Sequence, residues 1–242
     1  AAPLGELDPA APARRQAATL AAHLYESEGF QGNADDYYDP RNSYLHEVVR
    51  RRTGIPITLA VLLAAVGRRA GLQVEGIGFP GHFLARVGGA GGVLVDPFFG
   101  GRVLSQRHLE RLAGRMLGNA ARLDPARHLA PVGLRPLVVR MLLNLKHAHE
   151  RRQDHARALV VCDRLVDLTE VLTFRRDRGI HALALGARAQ AEEDLAAYLE
   201  SAGASTEDEA RVRELLRRAR SSTDWRPSCR PARRLASPQA AM

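Results

Sequence analysis

The chain has 242 residues, 45% of them hydrophobic, enough to bury the core of one large domain or two small ones. Two cysteines, Cys162 and Cys229, exclude a disulfide framework, and no apolar run approaches the ~20 residues of a membrane span. The formal charge of +8 raises nucleic acid as a partner, yet Lys146 is the only lysine among 35 basic residues and Ala is abundant, a bias that reads as GC-rich coding rather than phosphate contacts. Ala1–Ala10 has neither a charged segment nor a long apolar stretch, so no signal peptide is expected and a cytoplasmic location is the default.

Residues 12–28 place Ala17, Leu20, Ala21 and Leu24 at helical spacing, and 29–36 is a Gly/Asp-rich loop. Asp39-Pro40 predicts a helix start, with Asp as cap and Pro in the first turn. That helix is expected to reach about Arg52, with Tyr44, Leu45 and Val48 as its apolar stripe, and Gly54 to end it. From Ile57 to Ala70 the chain is apolar on all sides until Arg68, the mark of a buried helix. Its N-terminus falls at Pro56–Thr58, where free backbone donors face whatever lies there. Short β runs follow at Val74–Gly78, His82–Val87 and Val93–Val95, parted by Pro80-Gly81 and by the glycines of 88–92. They predict a three-stranded antiparallel sheet packed on the apolar helix.

A further helix is expected over 105–118, and the Pro/Ala-rich loop 119–134 reads as a domain boundary. Beyond Arg135 the pattern is helical. Leu137, Met141, Leu142 and Leu145 form one stripe, and Ala156, Leu159, Val160 and Val166 the next. Residues 179–186 and 189–199 make a second pair, and 207–220 closes the region. Pairs of this length suggest tetratricopeptide hairpins, with Ala156, Leu159, Gly186 and Ala189 at the close-packing positions. Arg217, Arg218, Arg220, Arg226, Arg230, Arg233 and Arg234, with Pro227, Pro231 and Pro238, form an Arg-rich end whose last part, 221–242, reads as a disordered tail.

A helix start, a His at position 82 and an Asp at position 96 on neighbouring strands form the skeleton of a Cys-His-Asp thiol site, yet no thiol is near. Three blocks carry a family resemblance: Tyr38-Asp39-Pro40-Arg41-Asn42-Ser43-Tyr44-Leu45 with Gly54-Ile55-Pro56-Ile57-Thr58-Leu59, then Phe79-Pro80-Gly81-His82-Phe83-Leu84, then Asp96-Pro97-Phe98-Phe99-Gly100-Gly101. In this order they resemble the SirB-type transglutaminase-like family of bacterial proteins, which carry tetratricopeptide-like helices behind the core. Residues 140–146 and 194–199 fit those helices. The resemblance implies an α+β fold. A transglutaminase-like (papain-like) core of helices on a small antiparallel sheet occupies 12–118, followed by an all-α tetratricopeptide-like region at 135–220.

It also implies that His82 holds the general-base position and Asp96 the position that orients the ring. The Cys position falls at or next to Pro56. In active relatives a helix N-terminus lowers the thiol pKa and the His takes its proton. Proline supplies no nucleophile, a departure usual in the SirB-type branch. Thr58 lies about 200° round the helix from the second position before it, so it reads as a capping hydroxyl. Ser43 and Asn42 read as caps in the same way. Glu47, one turn beyond Ser43, could reach the cleft that Asn42, Ser43, Pro56 and Thr58 would line with the His82–Asp96 pair. His147, His149 and Glu150 are too close in sequence to share a helix face, so no metal is expected, and no motif calls for a cofactor.

The reading is a degenerate transglutaminase-like protein that binds a protein or peptide partner through its cleft and helical repeats. Two alternatives stay open. One is a hydrolase or amidase using the His82–Asp96 dyad on water. The other is nucleic-acid binding through the Arg-rich tail.

Overall fold

In the computed structural model, which describes residues 8–117, 123–200 and 206–221, the core begins with α1 (Ala13–Ala21), continued by a π-helical turn over Ala22–Ser27. Strand β1 (Gln31–Gly32) pairs in parallel with β2 (Thr53–Gly54). Between them lie a 3-10 turn at Pro40–Asn42 and helix α2 (Leu45–Arg51). Asp39 caps the turn, its carboxylate accepting from the Arg41 amide at 3.0 Å. The single helix expected from Pro40 to Arg52 is therefore two elements. Tyr44 sits in extended backbone at the break, and Arg52 ends α2 in the left-handed region at φ 55°.

Helix α3 (Pro56–Arg69) is the centre of the core. Four antiparallel strands follow, β3 (Val74–Ile77), β4 (Leu84–Val87), β5 (Val93–Asp96) and β6 (Arg102–Val103), ordered β3-β4-β5-β6. The fourth strand has only two residues, too few to show an alternation, which is why the pattern predicted three. Alternation sorts the side chains of the longer strands. Val74, Ala85, Val87 and Val95 join Leu20, Leu59 and Leu63 on the α1/α3 face. Ile77 and Leu84, with Phe79, join Leu109 and Leu112 of α4 (Gln106–Leu117), and Leu94 packs against them. The sheet is thus buried on both sides, each fully covered Leu or Ile contributing on the order of 1.5–3 kcal/mol.

His82 is not on a strand. It occupies the turn before β4, its amide donating to the Phe79 carbonyl at 3.0 Å, because Pro80-Gly81 bends the chain there. The loop expected over 119–134 contains a short helix, α5 (Pro125–His128), capped by Asp124. Residues 118–122, the last residue of the expected helix and the start of that loop, lie outside the described residues, as do Cys229 and the tail from 222 onward.

Contacts divide the chain into two compact units, one up to Glu170 and one from Val171. The first unit includes α6 (Leu134–Arg151) and α7 (His155–Leu168), which pack on each other. The buried face of α7 is Ala158, Val161, Cys162 and Leu165, one step round from the expected stripe, and Val160 is exposed. The second unit holds α8 (Leu172–Ala184), α9 (Arg188–Glu200) and α10 (Thr206–Arg220). Arg217, Arg218 and Arg220 form the last turn of α10. A buried Asp194 on α9 takes both arms of Arg178 on α8 at 2.8 Å, a bidentate pair that fixes the register of this hairpin. No helix of the described residues is long and apolar enough to cross a membrane.

Candidate functional site

The site grows from the turn after β5. Asp96 ends the strand and caps a 3-10 turn at Pro97–Phe99, its Oδ1 accepting from the Phe98 amide at 3.2 Å. The same Oδ1 lies 2.9 Å from His82 Nε2, with both side chains buried. An ionised carboxylate only accepts hydrogen bonds, so the Nε2 proton points at Asp96 and the Nδ1 lone pair is left as the basic atom of the ring. Arg102 stands 3.5 Å from the other carboxylate oxygen. The buried Tyr25 hydroxyl has no hydrogen-bond partner among the described residues. Burial, and then the nearby Asp96 charge, raise its pKa.

The Gly100-Gly101 step gives this turn its tightness. Gly101 has φ +69°, donates its amide to the Asp96 carbonyl at 2.9 Å, and leaves 2.6 Å between an added Cβ and the Tyr25 ring. A side chain there would push Tyr25 from the carboxylate or open the turn.

Two aromatic rings stand against the imidazole. Phe98 meets it edge-on at 6.5 Å and Phe99 lies tilted at 6.4 Å. Phe98 and Phe99 are themselves edge-to-face at 5.2 Å, and Tyr37 bridges Phe98 at 6.1 Å to Tyr38 at 5.3 Å. Tyr38 is 46% exposed and Phe99 53%. Guanidinium groups cover both, Arg151 at 4.3 Å over Tyr38 and Arg102 at 4.6 Å over Phe99. Neither the tyrosines nor Phe98 and Phe99 were singled out individually from the sequence. The signal available was two adjacent aromatic pairs, Tyr37-Tyr38 and Phe98-Phe99, beside the motif blocks in a chain with few aromatics.

The other residues expected to line a cleft are mostly committed to structure. Thr58 is fully buried. Its hydroxyl accepts from the Ile55 amide at 3.1 Å and donates to the Asn42 carbonyl at 2.8 Å, tying the α3 N-terminus to the 3-10 turn. Gly54 is required beside it, because a Cβ there would come within 2.8 Å of that hydroxyl. The Asn42 side chain is equally occupied. Its Nδ2 donates to the carbonyls of Asp36 and Tyr37, and its Oδ1 accepts from Asn33. Asn42 and Thr58 therefore brace the loop that carries Tyr37 and Tyr38 and present no free polar group. Ser43 is buried at the end of the turn. Glu47 pairs with Arg50 at 2.6 Å on the exposed face of α2, and that hydrogen bond lowers its pKa. Pro56, also buried, is the first residue of α3 and offers neither thiol nor hydroxyl.

Asp39 is a buried hub of this loop, within 4.0 Å of the guanidinium groups of Arg41, Arg51 and Arg152. Burial works against its charge, but the Arg41 hydrogen bonds prevail and its pKa is lowered. Among the described residues no group of three or more His, Cys, Asp or Glu is placed to hold a metal ion.

A family model described as the transglutaminase-like superfamily matches residues 3–143. A UPF0162 protein of Xylella fastidiosa (strain Temecula1) is 43% identical over 190 residues, covering 76% of this chain and 66% of that protein. A UPF0162 protein of Vibrio cholerae is 35% identical over 156 residues, covering 64% of this chain and 55% of that protein. F-box only protein 21 of Mus musculus is 40% identical over 101 residues, 38% of this chain and 16% of that protein. The chain thus spans less than two thirds of the length of these relatives. No solved structure is significantly similar to it.

Proposed function

This chain belongs to the transglutaminase-like superfamily, and from that premise we propose that it is a nucleophile-lacking member that acts by binding a protein or peptide partner. The observation that carries the reading is the aromatic rim around a buried His–Asp pair. Tyr37, Tyr38 and Phe99 expose ring surface at the site, while Pro56 holds the place where a thiol would be needed. Rigid aromatic surface beside guanidinium groups is the composition of binding hot spots. The hydroxyl of Thr58 is already engaged by the Ile55 amide and the Asn42 carbonyl, so it is a poor substitute nucleophile.

We place the chain in the SirB-type branch, supported by the blocks at Gly54–Leu59, Phe79–Leu84 and Asp96–Gly101. The helices from Leu134 onward are read as tetratricopeptide-like. The second helices of the two hairpins open at His155 and Arg188, close to the period of about 34 residues of such repeats.

The test is selection from a random peptide library on wild-type protein, followed by affinity measurements with Tyr38→Ala and Phe99→Ala. Selected peptides should lose about tenfold or more in affinity on either substitution. Enriched peptides indifferent to both substitutions would contradict the reading.

A second reading rests on one observation, the 2.9 Å contact of His82 Nε2 with Asp96, which turns Nδ1 away from the carboxylate. With water as nucleophile the ring would act as general base in a hydrolase. It requires turnover that disappears in His82→Ala.

A further inference from the structure

Beside Asp96 lies a cavity of about 540 Å³ lined by Arg102, Phe99 and, from α4, His108, Arg111, Leu112 and Arg115. From it we infer a second binding site, for a small molecule carrying a phosphate monoester. The site shares Phe99 and Arg102 with the rim, but the inference rests on the arginines of α4 and not on the peptide reading above.

His108, Arg111, Leu112 and Arg115 follow one another at helical spacing of three and four residues, so one face of the helix lines the cavity. That face carries two guanidinium groups. Neither Arg111 nor Arg115 has an acidic partner among the described residues, whereas many other arginines, Arg50, Arg157 and Arg178 among them, are paired. Arg102 enters from β6, and its only acidic partner among the described residues is the Asp96 carboxylate at 3.5 Å.

The charge balance selects the ligand. Three guanidinium groups face one carboxylate in the cavity wall. The surplus suits a dianion better than a monoanion, and guanidinium forks match the oxygens of phosphate in pairs. His108 adds a hydrogen-bond donor. Its Nδ1 accepts from the Ser105 amide at 3.2 Å, which leaves the proton of the neutral ring on Nε2. The volume falls within the range of small-molecule sites. Leu104 and Leu112 supply apolar wall, and Phe99 an exposed ring face, for the organic part of the ligand.

The experiment is calorimetric titration of the full chain with phenyl phosphate at low ionic strength, with benzoate as the monoanionic control. Wild type should bind phenyl phosphate saturably and about tenfold more tightly than benzoate, with affinity falling as salt rises. The double substitution Arg111→Gln/Arg115→Gln should weaken phenyl phosphate binding by about tenfold or more. Both residues are exposed and have no acidic partner among the described residues, so this variant should keep the wild-type circular dichroism and melting temperature. Absence of saturable binding in wild type, or unchanged affinity in the folded double variant, would overturn the inference.

Discussion

The guanidinium of Arg140 on α6 donates to the main-chain carbonyl of His82 at 2.6 Å and to that of Phe79 at 3.0 Å. It also lies 5.2 Å above the Phe83 ring. A residue nearly sixty positions downstream therefore closes the turn that presents the imidazole. Burial lowers the Arg140 pKa, with Tyr37 opposing, yet an arginine in this setting stays charged.

Arg140→Ala removes a charged donor from two carbonyls at once. The expected loss is about 2 kcal/mol of stability, together with displacement of the His82 ring resonances. Thermal unfolding and a histidine-detected NMR spectrum check both. Unchanged His82 resonances in a folded variant would show that the clamp does not position the ring.

Thr58→Val keeps the shape of the side chain and deletes its hydroxyl. The buried Ile55 amide and Asn42 carbonyl then lose their partner, at a cost of about 1–3 kcal/mol, and Thr58→Ser should recover most of it. Denaturant unfolding measures the difference. Equal midpoints for the Val and wild-type chains would remove the structural role assigned to this hydroxyl.

Much of the fold was legible in the sequence because it follows from period. The almost wholly apolar stretch after Pro56 is α3 within one residue at each end, and the short runs bounded by glycines at 74–78 and 93–95 hold strands. Two-residue pairings such as β1 with β2 have no period to read. The α7 stripe was placed one step off, because Val160, an apolar residue exposed in the fold, fits a helical period as well as a buried one does. At the site, Asp96 and His82 were found through their motif blocks. Arg140 opens the block at 140–146, but its place at the site is not legible there, since it depends on where α6 packs and not on any local pattern.

Stability should depend on His149. Burial lowers its pKa, against the opposing charge of Asp154 and with the help of Arg157 and Arg152. Tyr44 meets Nε2 at 3.2 Å. The folded state therefore favours the neutral ring, and the unfolded chain takes up a proton at about pH 6.5. The contribution is complete above that pH and is lost as pH falls toward the folded pKa. The melting temperature should decline from roughly pH 7 to 5, and His149→Gln should flatten that part of the curve. Asp39, whose pKa is lowered, acts in a different window. Its contribution is present above about pH 3.9 and lost below. An unchanged slope between pH 7 and 5 in His149→Gln would contradict the assignment.

Pro56→Cys places a thiol at the N-terminus of α3, where the helix dipole lowers its pKa. Although this position is buried, alkylation of the new thiol by iodoacetamide at neutral pH should slow when His82→Ala is added, because the ring no longer takes its proton. Equal rates with and without His82 would mean that the ring does not face the helix start.

The central claim is that this site binds without turnover. The most direct measurement is a combined acyl-transfer and amidase screen of the wild-type chain and His82→Ala. It would follow amine incorporation into glutamine peptides and ammonia release from small amides. No turnover above the buffer rate is expected in either protein. Turnover by the wild type that vanishes in a folded His82→Ala variant would contradict it and make His82 and Asp96 a working dyad.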